Sequence, residues 1–280
     1  MKFGIETFAT DYSMRPDEMA LACEERGFES LWFGEHTHIP TSRRSIGPGG
    51  QDIVTKEYWH SHDLFVTLMA AAAATKTLKV ASGICLAVEH DPIKLAKEVA
   101  SVDQLSNGRL IFGIGGGWNA EEMENHGTPF KQRWKVLREK VEAMKEIWAK
   151  DEAEYHGEFV NFDPIWCYPK PLQKPHPPIL LGTYGKGLHR VVRYADGWIT
   201  VSFLLPDLAA AMKELHAKAE EAGRKPSEVP VSIVGMPDKA ELERYQKLGV
   251  DRVIAFVPSE GRDKVLPILD NYAALKSQVA

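Results

Sequence analysis

The 280-residue chain has little of what marks the more specialised classes of protein. Its three cysteines, Cys23, Cys85 and Cys167, are scattered and include no CxxC pair. Such an odd, dispersed set gives neither a disulfide framework nor the spacing of a zinc site, and it fits a reducing cytoplasm. Long apolar runs are missing as well. The longest, Leu68 to Ala74, is far short of the roughly 20 residues that cross a bilayer, and the amino terminus puts Lys2 and Glu6 where a signal peptide needs apolar residues. No export and no membrane insertion are expected. An excess of positive charge is also absent: 34 Lys and Arg stand against 39 Asp and Glu, a net charge of -5. That balance argues against nucleic acid as a partner. There is no low-complexity tract and no sequence repeat.

What the chain does have is an alternation of two hydrophobic periods. Short apolar runs at Lys2 to Phe8, Ser30 to Gly34, Leu78 to Leu86, Leu110 to Ile114, Ile179 to Leu181, Trp198 to Val201, Val231 to Val234 and Arg252 to Val257 read as strands. Helical patterns lie between them: Pro16 to Arg26, Asp63 to Thr75, Pro92 to Leu105, Arg133 to Lys150, Gly187 to Tyr194, Pro206 to Ala222, Lys239 to Leu248 and Asp263 to Leu275. Eight strands and eight helices in strict alternation predict an α/β fold, a closed (β/α)8 TIM barrel formed by residues 1–280 as one domain. Two stretches interrupt the rhythm. A polar, Gly-, Pro- and His-rich segment, Thr37 to His62, follows the second strand. An irregular excursion with many aromatics and prolines, Glu154 to Pro178, follows the fourth. Both read as insertions.

Reacting groups in such barrels sit at the carboxyl ends of the strands. Glu35 and His36 lie just past the second strand, and a carboxylate beside an imidazole offers an acid and base near neutral pH. A solvated Glu and a loop-capping His give the same dipeptide. His38, His60 and His62 follow in the long segment and read as surface residues. His36-x-His38 has the spacing of a metal-binding pair, but the fifth, sixth and eighth strands end in Gly182, Ser202 and Pro258, so no metal is expected. The fourth strand runs into Gly115, Gly116, Gly117 and Trp118, and the fifth into Gly182, Thr183, Tyr184, Gly185, Lys186 and Gly187. Bare backbone there admits a flat ring or a phosphate, and it equally permits tight packing. Two glycine-rich strand ends in one barrel favour a planar, phosphate-bearing cofactor.

These residues lie within longer motifs. DPIKLAKEVASVDQLSNGRLIFGIGGGWNAEEMENHG at Asp91 to Gly127, ESLWFGEHTHIPTSRR at Glu29 to Arg44, the segment Ala153 to Gly182 and RVVRYADGWI at Arg190 to Ile199 resemble the luciferase-like monooxygenase superfamily. The resemblance is strongest to its branch that uses the deazaflavin coenzyme F420. It implies a barrel with insertions, a cytoplasmic homodimer, and a cofactor ring at the carboxyl end of the barrel. It also implies a non-proline cis peptide around Ser82, Gly83 and Ile84 that supports the ring. Glu35 and His36 would then lie at the ring's reactive edge, and the glycines of the fourth and fifth strands at the cofactor's tail and phosphate. Trp118 stands where sugar-phosphate dehydrogenases of the superfamily carry a catalytic glutamate, which argues against that activity. The expected reaction is hydride transfer between F420 and a small organic substrate. An FMN-dependent monooxygenase served by a separate reductase is the alternative, and a non-catalytic flavin-binding protein is a third reading. Tyr58, Trp59, Phe162, Trp166 and Tyr168 either roof a substrate pocket or bury the insertions against the barrel.

Overall fold

The computed structural model describes residues 1–42, 44–47, 50 and 54–278. Eight parallel strands close into a barrel: β1 (Lys2–Thr7), β2 (Ser30–Phe33), β3 (Lys79–Ser82), β4 (Leu110–Gly115), β7 (Ile179–Gly182), β8 (Gly197–Val201), β9 (Val231–Gly235) and β10 (Arg252–Phe256). The principal outer helices are α1 (Pro16–Glu25), α3 (Leu64–Ala74), α4 (Pro92–Leu105), α6 (Arg133–Ala149), α7 (Leu188–Tyr194), α8 (Leu208–Glu221), α9 (Lys239–Leu248) and α10 (Arg262–Ser277). This is the (β/α)8 barrel that the alternation predicts. The insertions hold one short helix, α2 (Glu57–His60), and most of an antiparallel pair, β5 (Glu152–His156) and β6 (Asn161–Trp166), while a second short helix, α5 (Ala120–Asn125), lies between β4 and α6. No described helix is long and apolar enough to cross a membrane.

Side chains that alternate inward and outward along the strands make two cores. Inside the barrel, Trp32, Ala81, Ile111, Leu180, Ile199, Val234 and Ile254 pack together, with Ile84 and Val201 against them. The larger core fills the layer between strands and helices. Trp32 fits because β1 carries Gly4 beneath its ring, where a Cβ would lie 2.9 Å from the indole nitrogen. That nitrogen donates to Ser30 Oγ at 2.7 Å.

The floor of the barrel is held by polar clamps. At the start of β4 the Arg109 guanidinium donates to the carbonyls of Ala72, Thr75 and Leu78, so it caps the carboxyl end of α3. Beside it Glu24 accepts from the amides of Lys76, Thr77 and Leu78. Across the floor Arg252 makes paired hydrogen bonds of 2.9 Å to Glu29.

Two features depart from the sequence reading. The third run, Leu78 to Leu86, is not one strand: β3 stops at Ser82 and Cys85 bridges to Ile114 on β4, while the cis Gly83–Ile84 peptide between them falls where the resemblance implies one. The excursion Glu154 to Pro178 is partly regular, since its alternating residues pair as β5 and β6. It lies along the outer flank, where Lys97 on α4 donates to the Tyr168 carbonyl and Gln104 to that of Lys170. Trp166 and Tyr168 are exposed and bond Glu152 and Asp151, while Phe162 packs on the outer core. Trp59 is exposed, and of the five aromatics only Tyr58 packs against the candidate site.

Candidate active site

The strand ends bring most of the sequence-derived residues to one face. Glu35 and His36 leave β2 side by side but turn to different partners. His36 is buried, and its Nδ1 lies 2.7 Å from Glu122 Oε2 on α5. The other Glu122 oxygen accepts the Thr37 amide at 3.0 Å, which fixes the turn that carries the imidazole. Three rings surround His36: Tyr58 at 4.7 Å, Trp118 edge-on at 5.7 Å and Phe8 at 6.3 Å between centroids. With Nδ1 held by a carboxylate, Nε2 is the nitrogen left to exchange a proton.

Glu35 faces the other way. Its Oε2 accepts the Leu86 amide at 2.6 Å and its Oε1 lies 2.9 Å from His90 Nε2. Both oxygens are therefore engaged in anchoring the segment that follows the cis peptide. His38 is outside this arrangement as well. It bonds Thr37 and Asn125, so the His36-x-His38 pair does not converge on a common point.

The sequence reading missed Glu6. Its inward side chain at the top of β1 lies against Gly83, where a Cβ would be 3.3 Å from the carboxyl carbon. Glu6 is buried and its Oε2 has no hydrogen-bond partner among the described residues. Burial pushes its carboxyl up to about 8, so Glu6 carries a proton at neutral pH. A Lys-Phe-Gly-Ile-Glu strand looks ordinary in sequence, and only barrel closure shows that the Glu points inward. Glu122 was hidden for a similar reason: the six residues of α5 are too few to show a helical period, although Asn119 caps them by accepting the Glu122 amide.

The two glycine-rich ends are neighbours, with Gly115 of β4 paired with Gly182 of β7. Their open faces are filled by side chains. A Cβ on Gly115 would lie 1.9 Å from Ile84 Cδ1, one on Gly116 3.1 Å from the Trp134 ring, and one on Gly117 3.0 Å from Met123 Cε. The glycines thus admit Ile84 beside the cis bond and Trp134 beside the loop. Ser82 is buried, with its hydroxyl donating to the Gly113 carbonyl at 2.8 Å. In the next loop Thr183 Oγ1 donates to the Lys186 carbonyl and Trp198 Nε1 to that of Thr183, while Gly185 and Gly187 adopt positive φ.

Over these loops lies a stack of cations on an aromatic ring. The Arg190 guanidinium is 4.7 Å from the centre of the Trp134 ring, and that of Arg133 is 5.6 Å from it. A Cβ on Gly187 would fall 2.0 Å from Arg190 Nη1, so the glycine makes room for the guanidinium. Neither arginine has a carboxylate partner within salt-bridge distance among the described residues, and Arg133 Nε is buried without an acceptor. Burial, and then the charge of Arg190, push the Arg133 guanidinium down. Two guanidiniums without a carboxylate partner among the described residues, beside a glycine-rich turn, have the chemistry to receive an anionic group, although Arg133 Nη1 also donates to the Phe130 carbonyl.

An uncharacterized protein of Mycobacterium tuberculosis is 39% identical over 280 residues, with 98% of both chains covered. An FMNH(2)-dependent dimethylsulfone monooxygenase of Pseudomonas putida is 31% identical over 59% of this chain and 46% of its own. An F420-dependent glucose-6-phosphate dehydrogenase of Amycolatopsis mediterranei is 26% identical over 72% of this chain and 58% of its own. Among solved structures, monooxygenase RslO1 from Streptomyces bottropensis superposes with a TM-score of 0.82 at 21% identity, each chain covered in full. An F420-dependent secondary alcohol dehydrogenase superposes with a TM-score of 0.78 at 19% identity, again over both whole chains. Those two likenesses concern the fold. The family model described as luciferase-like monooxygenase matches residues 14–238, and the chain belongs to that family, whose relatives include both F420-dependent and FMNH2-dependent enzymes.

Proposed function

We propose that the protein is an F420-dependent oxidoreductase that exchanges a hydride with a small organic substrate whose reduction also takes up one proton. The observation that carries this reading is Glu6: a buried, protonated carboxyl with one unpartnered oxygen, set against Gly83 at the mouth of the barrel. The match to the F420-dependent relative also extends over more of this chain than that to the dimethylsulfone monooxygenase, 72% against 59%.

The residues fit a phosphate-bearing ring. Gly83 and Ile84 would support the ring, with Ser82 fixing their strand end, and Gly115, Gly116, Gly117 and Trp118 would form the wall beside it. Gly182, Thr183, Gly185, Lys186 and Gly187, with Arg133 and Arg190, would hold the phosphate. When bound, the deazaflavin supplies hydride exchange with a substrate carbon. Glu6 gives the proton to the substrate atom that takes it up, and recovers it in the reverse direction. His36, oriented by Glu122, passes that proton on through Nε2, and Tyr58, Trp118 and Phe8 pack around its imidazole. Glu35 acts at one remove by holding Leu86. The protein works in the cytoplasm as a homodimer of one-domain barrels, with α3 and α4 at the interface, where Val66 and Leu105 are exposed.

One observation favours FMN instead. Two guanidiniums match the dianionic phosphate monoester of FMN better than a singly charged diester. Titration of the apoprotein with F420 and with FMN, followed by tryptophan and cofactor fluorescence, separates the two readings. Micromolar binding of F420 with weaker FMN binding is expected. The reverse order makes this a two-component monooxygenase, and binding of either without turnover on any hydride acceptor makes it a carrier.

A further inference from the structure

The end of β2 and the stretch between the cis peptide and α4, some 50 residues apart in sequence, bring different ligand atoms together. Glu35 from the end of β2, Cys85 from the segment after the cis peptide and His90 from the approach to α4 place a carboxylate oxygen, a thiol sulfur and an imidazole nitrogen within 4.8 Å of one another. Cys85 is fully buried, Glu35 nearly so, and the His90 ring reaches the surface along one edge.

Two more acidic side chains, Glu89 and Glu98, follow on the same stretch of chain. Glu89 has a side chain only 1% exposed, and its Oε2 has no hydrogen-bond partner among the described residues; its nearest cationic candidate is His126 Nε2 at 3.7 Å. Glu98, on α4, also has a buried Oε2 without a partner, while its Oε1 lies 3.5 Å from Lys94. The opposing cation is Lys140, whose ammonium is committed to the carbonyls of Val88 and His90 and pushed down to about 8 by burial. The two carboxylates leave buried oxygens without a protein partner among the described residues, each of which calls for an explanation.

The geometry points to a binding site for a divalent transition-metal ion, zinc by ligand type, coordinated by Glu35, Cys85 and His90. The mixed sulfur, nitrogen and oxygen set is that of zinc and excludes magnesium and calcium, which take oxygen ligands. On binding, the sulfur–metal bond replaces the Cys85 S–H bond. The proton between Glu35 and His90 Nε2 is displaced, and the released protons go to solvent. Glu35 Oε2 keeps its hold on Leu86, so the ion ties β2, the segment carrying the cis bond and the start of α4 into one unit. The ion has a structural role and takes no part in the hydride step.

The test needs no flavin, so it stands apart from the function proposed above. Chelator-treated apoprotein is titrated with Co2+ and then with Zn2+. One Co2+ per chain is expected, with thiolate-to-cobalt charge-transfer absorbance in the near ultraviolet that Zn2+ abolishes. Cys85→Ser should lose that absorbance, while Cys23→Ser and Cys167→Ser keep it. His90→Gln should weaken Zn2+ binding by about 100-fold or more in calorimetry. Should Cys85→Ser fail to fold by circular dichroism, His90→Gln carries the test alone. No charge-transfer absorbance in the folded wild type, its retention in Cys85→Ser, or unchanged Zn2+ affinity in His90→Gln overturns the assignment.

Discussion

His36 Nδ1 lies 2.7 Å from Glu122 Oε2, a contact across 86 residues that joins the end of the second strand to a one-and-a-half-turn helix after the fourth. The carboxylate takes one ring nitrogen out of play and aims the other. Neither residue declares this in sequence: Glu122 is one of several acids in AEEMEN, and His36 one of four histidines between positions 36 and 62.

If the pair works as a unit, its two members fail differently. His36→Ala is expected to lower turnover about 10²- to 10⁴-fold while cofactor affinity stays within about tenfold. Glu122→Gln keeps a side chain of the same shape but removes the charge, and a smaller loss of turnover with a displaced pH profile is expected. Steady-state rates across pH, alongside cofactor titration, distinguish the two. Unchanged turnover in His36→Ala would remove it from the chemistry.

Glu6 gives a pH dependence of stability. Its folded-state pKa, about 8, lies above the ordinary 4.5, so the folded protein holds a proton that the unfolded chain releases between those values. Stability is therefore fully present below 4.5 and falls as pH rises to about 8, by a few kcal/mol. Glu6→Gln should remove that part of the slope. Urea unfolding at several pH values measures it, and a wild-type slope unchanged in the variant would mean that Glu6 is ionised when folded. The same substitution is expected to lower turnover at least about 100-fold.

Arg133 and Arg190 are expected to act on the cofactor's anionic end alone. Arg190→Ala should weaken FMN and F420 binding about tenfold or more, and the double variant further, with affinity less sensitive to salt. Riboflavin, which has no phosphate, is the control. Equal losses for riboflavin and FMN would show that the arginines only hold Trp134 in place.

Much of this was readable before the structure, and the limits have physical causes. Strand and helix periods persist over enough residues to announce the barrel, and Gly182 to Gly187 marks a loop by composition alone. Direction is another matter. Whether Glu6 points into the barrel depends on closure of β1 against β10, and whether Glu35 is free depends on Leu86 and His90, some 50 residues on. The glycine run was visible, but not that Ile84 and Trp134 fill it, because a missing Cβ says nothing about what takes its place. The antiparallel hairpin was obscured because Pro164 interrupts its second strand and breaks the usual strand signature.

Arg109 and Glu24 lie at the end of the barrel away from every residue discussed as reactive, and they close the frame there with backbone hydrogen bonds. Such a keel does not depend on what the opposite loops contain. Those loops can exchange histidines, arginines or whole segments under selection while the frame stays rigid, and a single architecture can come to serve enzymes named for FMNH2 and enzymes named for F420.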